Sequence, residues 1–198
     1  HTGQVLAPFE IGETLSPGAT VLLGGRPWTA IDLPGLARGG LGFFDEARGI
    51  LICGDALWQQ GLGVLRPIID GPQVFDDALA SLARIEALAP ELLIPGHGDP
   101  FGGAATLAKA LAQARQKIRR WQRDARAHRQ HLLASFAGFY LLANPGAPVG
   151  ALGTLLARLE DGPGDVGEAQ RALEALQLGG ILRVEGDRAL PGPRLLSD

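Results

Sequence analysis

Two short apolar runs, residues 50–53 and 92–94, each lead into a polar residue beside glycine. Short apolar runs bounded by turn residues are typical of buried strands. Between them, residues 74–88 place large apolar side chains at spacings of three and four, which predicts a helix with one apolar face. Three upstream runs, near residues 19–23, 28–33 and 41–44, also read as strands. The resulting order β-β-β-β-α-β predicts an α/β protein with a mixed sheet covered by helix.

Composition excludes several classes of protein. Hydrophobic residues make up 46% of the 198 positions, yet no stretch approaches the roughly 18 to 20 unbroken apolar residues of a membrane span. Cys53 is the only cysteine, which excludes a disulfide framework and predicts a reducing compartment, the cytoplasm. Because the chain has no Met and no basic-then-apolar leader, we expect that it was cut from something longer at His1.

Charge divides the chain into three parts. Residues 1–103 carry five arginines against twelve acids, residues 104–146 carry eight basic residues against one aspartate, and residues 147–198 carry five arginines against eight acids. We therefore predict a domain over 1–103, a long basic linking helix over 104–146 that is either continuous or broken once, and a small winged-helix-like domain over 147–198. The last part has two amphipathic segments followed by a hairpin around Gly186-Asp187.

The two glycine-flanked polar residues are candidates for chemistry. Asp55 follows Gly54, and His97 lies between Gly96 and Gly98. Ligand sites collect at strand ends because a sheet holds the loops rigidly and leaves their tips open. Carboxylate and neutral imidazole are also ligands that zinc prefers. The alternative is that Asp55 caps a turn and that His97 is an ordinary loop histidine.

Three motifs resemble one family. GDALW at 54–58, the helix that follows, and IPGHG at 94–98 resemble the second half of the metallo-β-lactamase superfamily, in particular its glyoxalase-II-like hydrolases. Upstream, LPGLARGG at 33–40 is similar to the loop that carries T-P-G-H-x-P-G-H in that family. The resemblance covers about residues 1–103.

The resemblance implies an αβ/βα sandwich that holds one or two divalent metal ions at the edge of its sheets. Zinc is the expected metal, with iron and manganese as alternatives. Asp55 takes the family's bridging position and counts as the catalytic residue, and His97 takes a second-site position. A metal-bound hydroxide would then attack an ester, thioester or similar small-molecule substrate.

The ligand set departs from the family pattern. Position 36, where the family places a histidine, is Leu, and no H-x-H-x-D-H motif occurs in the chain. His1 matches the last histidine of that motif, so the predicted metal ligands are His1, Asp55 and His97, although a trimmed affinity tag also leaves a terminal histidine. Asp32 is an alternative oxygen ligand. Trp58 is predicted either to line the substrate pocket or to pack in the core.

Three functions remain open. The first is a hydrolase whose metal centre is incomplete in this chain, and the second is a non-catalytic binding protein of the same fold. The third is nucleic-acid binding through the winged-helix-like region, which the acidic balance of residues 147–198 disfavours. For that region we expect pocket closure or formation of a homodimer instead, and we expect no membrane partner.

Overall fold

The computed structural model of the protein describes residues 10–158 and 166–193. Residues 10–125 form one compact unit, and the chain from Arg126 onward belongs to a second unit. These limits differ from the predicted boundaries after residues 103 and 146, because the first half of the basic segment packs with the preceding domain.

The first unit is built on a six-stranded sheet in which the strands lie side by side in chain order. All neighbouring strands are antiparallel except β4 and β5, which are parallel. The predicted mixed sheet is therefore confirmed. The strands are β1 Thr20–Leu23, β2 Arg26–Asp32, β3 Leu41–Asp45, β4 Ile50–Gly54, β5 Leu92–Pro95 and β6 Phe101–Gly102.

Three helices accompany this sheet: α1 Pro67–Asp70, α2 Val74–Leu88 and α3 Ala104–Arg123. The predicted helix over residues 74–88 is confirmed, and its apolar face is buried. Leu51 and Leu93 of the sheet are fully buried in one hydrophobic cluster with residues of α2 and α3. Such burial stabilises the unit by roughly 1.5–3 kcal/mol for each large aliphatic side chain. Helix α2 lies between β4 and β5 in the chain and forms the crossover that joins these two parallel strands.

The basic segment over 104–146 is a helix broken once, which is one of its two predicted forms. It breaks at Asp124, where α3 ends, and α4 Ala125–Ala143 begins one residue later. The apolar stripe of α3, which includes Leu111 and Ile118, is buried in the cluster of the first unit. An amphipathic helix requires a surface for its apolar stripe, and the preceding domain supplies that surface.

The opposite side of the sheet is apolar as well. Ala30, Phe43, Ile52 and Ile94 lie in register across four neighbouring strands. None of the four belongs to either hydrophobic cluster found among the described residues. A sheet with two apolar faces is typical of an inner layer of a sandwich.

The second unit has its own core, built around Leu141, Leu152, Leu156 and Leu182. Its elements after α4 are β7 Ala147–Pro148, α5 Val149–Arg158, α6 Val166–Leu178, β8 Leu182–Glu185 and β9 Arg188–Pro191. The three strands lie in the order β7-β9-β8. Two helices followed by a hairpin agree with the predicted order, and the assignment as a winged helix stays a prediction. No helix in residues 10–158 or 166–193 is long and apolar enough to cross a membrane.

Candidate metal site

The loops that follow β4 and β5 meet because these two strands are parallel neighbours. Ile52 pairs with Ile94, and after a local shift of register Gly54 pairs with Pro95. The N–H of Gly96 donates to the carbonyl of Gly54 at 2.8 Å. The carboxyl ends of both strands therefore lie at one edge of the sheet, where each is followed by its polar residue.

Asp55 and His97 are brought together at this edge. Asp55 Oδ1 lies 2.8 Å from His97 Nδ1, which is hydrogen-bond distance. Their side chains are 37% and 60% exposed, so a ligand can reach them from solvent. The pair joins residues 42 positions apart, so it depends on the strand pairing.

Gly96 makes room for the aspartate. A β-carbon at this position would overlap Asp55 Oδ1 and would lie 3.1 Å from Asp55 Cγ. A side chain at position 96 would therefore displace the carboxylate of Asp55 from its present position.

Trp58 contacts both residues of the pair. Its indole Nε1–H donates to Asp55 Oδ1 at 2.9 Å, and its ring lies 4.8 Å from the His97 ring, centroid to centroid, at an angle of 54°. The backbone of Trp58 is paired with Gly61 through two hydrogen bonds of 2.8 and 3.4 Å. The predicted pocket residue thus has its polar atom directed at the aspartate, and its role in a substrate pocket stays a prediction.

Leu36 lies beside the aspartate loop, at the position where the family has a histidine. Gly63 donates its N–H to the carbonyl of Asp55 at 2.8 Å. A β-carbon on Gly63 would overlap Leu36 Cδ2 and approach Asp55 Cβ to 2.8 Å. Leu36 is half-buried and packs against the core cluster. An apolar side chain that cannot bind metal therefore takes this place near Asp55.

Asp32 does not replace the missing ligand. Its carboxylate is paired with Arg84, Oδ2 to Nη1, at 3.3 Å, and the same guanidinium donates to the Asp32 carbonyl. The loop that follows β2 is also bound to α2, because the Ser81 hydroxyl donates to the Pro34 carbonyl at 2.6 Å. These contacts hold the start of the β2–β3 loop against α2.

Cys53 is not a third ligand either. Burial raises the pKa of its thiol to about 11, and the thiol donates to the Leu57 carbonyl at 3.2 Å, a contact that requires its proton. A thiol binds metal as a thiolate, and at neutral pH this one is protonated.

The donors therefore fit a metal site in kind and separation but do not complete one. Two ligands of a tetrahedral zinc ion lie roughly 3.3 Å apart, given metal–ligand distances of about 2.0–2.1 Å, and Asp55 and His97 need to separate only slightly to reach this spacing. Among the residues that the structure describes, no group of three or more His, Cys, Asp or Glu side chains is placed to hold a metal. The remaining predicted ligand, His1, lies outside the described residues.

The fold and this edge define an α/β protein with an Asp–His pair at the carboxyl ends of neighbouring parallel strands. The family model of the metallo-β-lactamase superfamily matches residues 4–97. Over this segment, which is just under half of the chain, the protein is similar to the metallo-β-lactamase superfamily.

Two relatives carry names of hydrolases. A probable metallo-hydrolase of Bacillus subtilis, YqjP, is 31% identical over 95 residues, which cover 44% of this chain and 28% of that protein. A hydroxyacylglutathione hydrolase of Fuscovulum blasticum is 32% identical over 101 residues, which cover 51% of this chain and 38% of that protein. The chain thus spans about a third of the length of these relatives.

A solved structure supports the fold over more of the chain. The β-lactamase domain protein from Burkholderia ambifaria is 25% identical, with a TM-score of 0.50, and the match covers 93% of this chain and 54% of that chain. The predicted fold class is therefore confirmed. The sequence patterns did not reveal the hydrogen bond from Trp58 to Asp55, because spacing of three residues in a loop does not determine side-chain direction.

Proposed function

We propose that the protein is a metal-dependent hydrolase of small ester or thioester substrates, to which Asp55 and His97 contribute two metal ligands. The 2.8 Å separation of Asp55 Oδ1 and His97 Nδ1 at an exposed sheet edge carries the proposal. A carboxylate and an imidazole that converge in this way form part of the donor set that zinc prefers. Because Leu36 removes one ligand of the family pattern, we propose a single metal ion, with zinc as the first choice.

The bound ion supplies a lowered pKa for water and polarisation of the substrate carbonyl. The chain's own residues hold and orient this ion. Asp55 contributes negative charge from the end of β4, and His97 contributes its ring from the end of β5. The sheet fixes both positions because their loops are joined by the Gly96-to-Gly54 hydrogen bond. We place this activity in the cytoplasm, in accord with the single buried thiol.

Metal binding tests the proposal directly. The purified full chain is depleted with a chelator and titrated with Zn²⁺ by calorimetry, and bound metal is counted by mass spectrometry. We expect about one Zn²⁺ per chain, with at least tenfold weaker binding in Asp55→Asn and His97→Ala, because each variant removes one donor. Asp99→Asn is the matched control, since it removes an exposed carboxylate two residues from His97. Equal affinity of all four proteins would refute the assigned ligands.

Turnover is measured on a panel of thioesters and esters that includes a hydroxyacylglutathione, the substrate in the name of one relative. Hydrolysis should require the metal and should be lost in Asp55→Asn. Tight metal binding without turnover of any member of the panel would favour the second candidate, a non-catalytic binding protein. Leu36 is the observation that supports this second candidate, because it stands where the family supplies a ligand.

The third candidate, nucleic-acid binding, is tested by titration of duplex DNA at increasing salt. Phosphate contacts make affinity fall steeply with salt, so an absence of binding at low salt removes this candidate.

A further inference from the structure

A polar cleft lies between helix α3 and the tight turn that follows β4. The backbone of Trp58 pairs with that of Gly61, which places Gln59 and Gln60 at the tip of a two-residue turn. Across from this tip lies the first half of α3, and the cleft between them has a volume of about 580 Å³. Cavities of this size are typical of sites for small molecules. The cleft is lined by Gln59, Gln60, Ala105, Thr106, Lys109 and Gln113.

The lining of the cleft is almost entirely polar. It contains three side-chain amides, one hydroxyl and one ammonium group, and Ala105 is its single apolar member. An amide both donates and accepts hydrogen bonds, as a hydroxyl group does, so each glutamine can bind a hydroxyl group of a ligand in either sense. The lining has no aromatic ring to receive an apolar ligand. The cleft therefore fits a ligand that forms hydrogen bonds over most of its surface.

Two lysines give this face of α3 its positive charge. Lys109 lines the cleft, and Lys117 lies eight residues, or about two turns, further along the helix. The ammonium of Lys117 lies beside Gly61, where a β-carbon would be 3.5 Å from Nζ, and 5.0 Å from the centroid of the Trp121 ring. Burial lowers the pKa of Lys117, because its ammonium is only partly hydrated.

The positive charge has no counterpart within the protein. Among the residues that the structure describes, neither lysine forms an ion pair with a carboxylate. The lining of the cleft contains no acidic residue, and the first turn of α3 contains none either. An anion that enters the cleft therefore meets an ammonium group without displacing a carboxylate from it.

We propose that this cleft binds a small organic acid that carries hydroxyl groups. Its carboxylate lies at Lys109, and its hydroxyl groups bind the glutamine amides and the Thr106 hydroxyl. The lining shares no residue with the Asp55–His97 pair, so the inference goes beyond the proposed function and does not depend on a bound metal.

The test compares gluconate with gluconamide, which have the same hydroxyl groups and differ in the charged carboxylate. Each is titrated into the metal-free full chain, and affinity is measured from the nitrogen-15 NMR signals of the cleft residues. We expect gluconate to bind with millimolar affinity and gluconamide to bind about fivefold more weakly or worse, because a charge-assisted hydrogen bond is stronger than a neutral one.

Lysine labelling locates the bound acid. Lys109 and Lys117 are the two lysines of the chain, so carbon-13 labelling of lysine gives two side-chain signals, and Lys109→Gln removes one of them. Gluconate should shift the Lys109 signal more than the Lys117 signal. Binding of gluconate without a shift of the Lys109 signal overturns the proposed position of the carboxylate.

Two variants of equal charge separate the cleft from the basic helix as a whole. Lys109→Gln should bind gluconate about fivefold more weakly or worse than the wild type. Arg119→Gln is the matched control, because it removes one positive charge from an exposed position of the same helix, ten residues or about 15 Å further along. This control should bind gluconate as the wild type does. Circular dichroism establishes that both variants are folded.

The remaining outcomes are equally decisive. No effect of gluconate on the cleft signals, or equal affinity for gluconate and gluconamide, overturns the inference. Equal weakening in Lys109→Gln and Arg119→Gln also overturns it, because general attraction to a basic helix then explains the binding. Inorganic phosphate that binds as tightly as gluconate shows that the cleft attracts any anion, and this removes the assignment to an organic acid. The proposed function stands or falls separately, on the Zn²⁺ titration of Asp55→Asn and His97→Ala.

Discussion

Replacement of Gly96 by alanine provides a sharp test of how the aspartate is seated. Gly96 does not have a positive φ angle, so alanine can adopt its backbone conformation, and the effect of the substitution is steric. The new β-carbon would overlap Asp55 Oδ1, and it would lie 3.1 Å from Asp55 Cγ and 3.3 Å from the carbonyl carbon of Gly54. The last contact is with backbone, which cannot swing aside.

The size of the effect follows from two opposing contributions. Overpacking at a close contact destabilises by about 1–3 kcal/mol. Loss of chain freedom in the unfolded state stabilises alanine over glycine by about 0.4–1 kcal/mol. The net expectation is a loss of roughly 1–2 kcal/mol in the free energy of unfolding. With a urea dependence of about 2 kcal/mol per molar, the midpoint should fall by roughly half to one molar.

Tryptophan fluorescence is a suitable assay because all three tryptophans, at positions 28, 58 and 121, lie within the unit of residues 10–125. The control is Gly12→Ala, which has no positive φ angle and no atom within 4 Å of the new β-carbon. This control should unfold at the wild-type midpoint or slightly above it. A Gly96→Ala protein with wild-type midpoint and wild-type Zn²⁺ affinity would refute the seating of Asp55 against Gly96.

Three further predictions concern residues around the site. Burial raises the pKa of Cys53 from 9.0 to about 11, so the stability that the neutral thiol contributes is full below pH 9 and is lost as the pH rises to 11. A thiol-reactive reagent should therefore label the native protein far more slowly than the unfolded protein. Fast labelling of the native protein at pH 8 would contradict this prediction. Gly35 has a φ of 120°, and a β-carbon there would lie 2.8 Å from the backbone of Ala78, so Gly35→Ala should lower the free energy of unfolding by more than about 2 kcal/mol in urea titrations. Gly39 lies in the same loop with a φ of 69° but faces open space, so Gly39→Ala should lower the free energy of unfolding by about half as much. Equal losses in the two variants would show that the contact of position 35 with α2 does not cause the destabilisation. Leu36→His should tighten Zn²⁺ binding at least tenfold in calorimetry because it places an imidazole beside Asp55, whereas Leu36→Gln should not, and equal affinities would show that position 36 is turned away from the metal.

Much of the fold could be predicted from local patterns. The helix over residues 74–88 has the predicted ends, because its apolar spacing is regular and a proline follows it at position 90. The strands at residues 50–54 and 92–95 extend one residue beyond the predicted runs. These elements are readable because burial of one face imposes a period on the sequence.

Other elements left no such pattern. Strand β6, Phe101–Gly102, has two residues, which is too short for any alternation to show. Helix α1, Pro67–Asp70, has one turn, and its signals were the proline at its first position and the pairing of Arg66 with Asp70. One break in the basic helix was among the predicted forms, but its position at Asp124 depends on which surface receives α3, and that is a tertiary property.

The candidate site divides in the same way. Asp55 and His97 could be identified from their glycine neighbours and their places after apolar runs. Their direct contact required the parallel pairing of β4 and β5, and the donor from Trp58 required the side-chain direction in the loop. Contacts of this kind depend on atoms that are distant in sequence or free to rotate, so the sequence carries no periodic trace of them.

The parallel pairing of β4 and β5 also determines when the Asp–His pair can form during folding. The two residues are 42 positions apart, and the pairing of β4 with β5 is what brings them together. Contacts of such long sequence separation form slowly, since chain entropy is lost before the contact is gained. A metal ion held by this pair cannot nucleate folding as zinc does in small domains with closely spaced ligands. The rate at which the refolding chain becomes able to bind Zn²⁺ should therefore follow the slowest step in the assembly of the sheet.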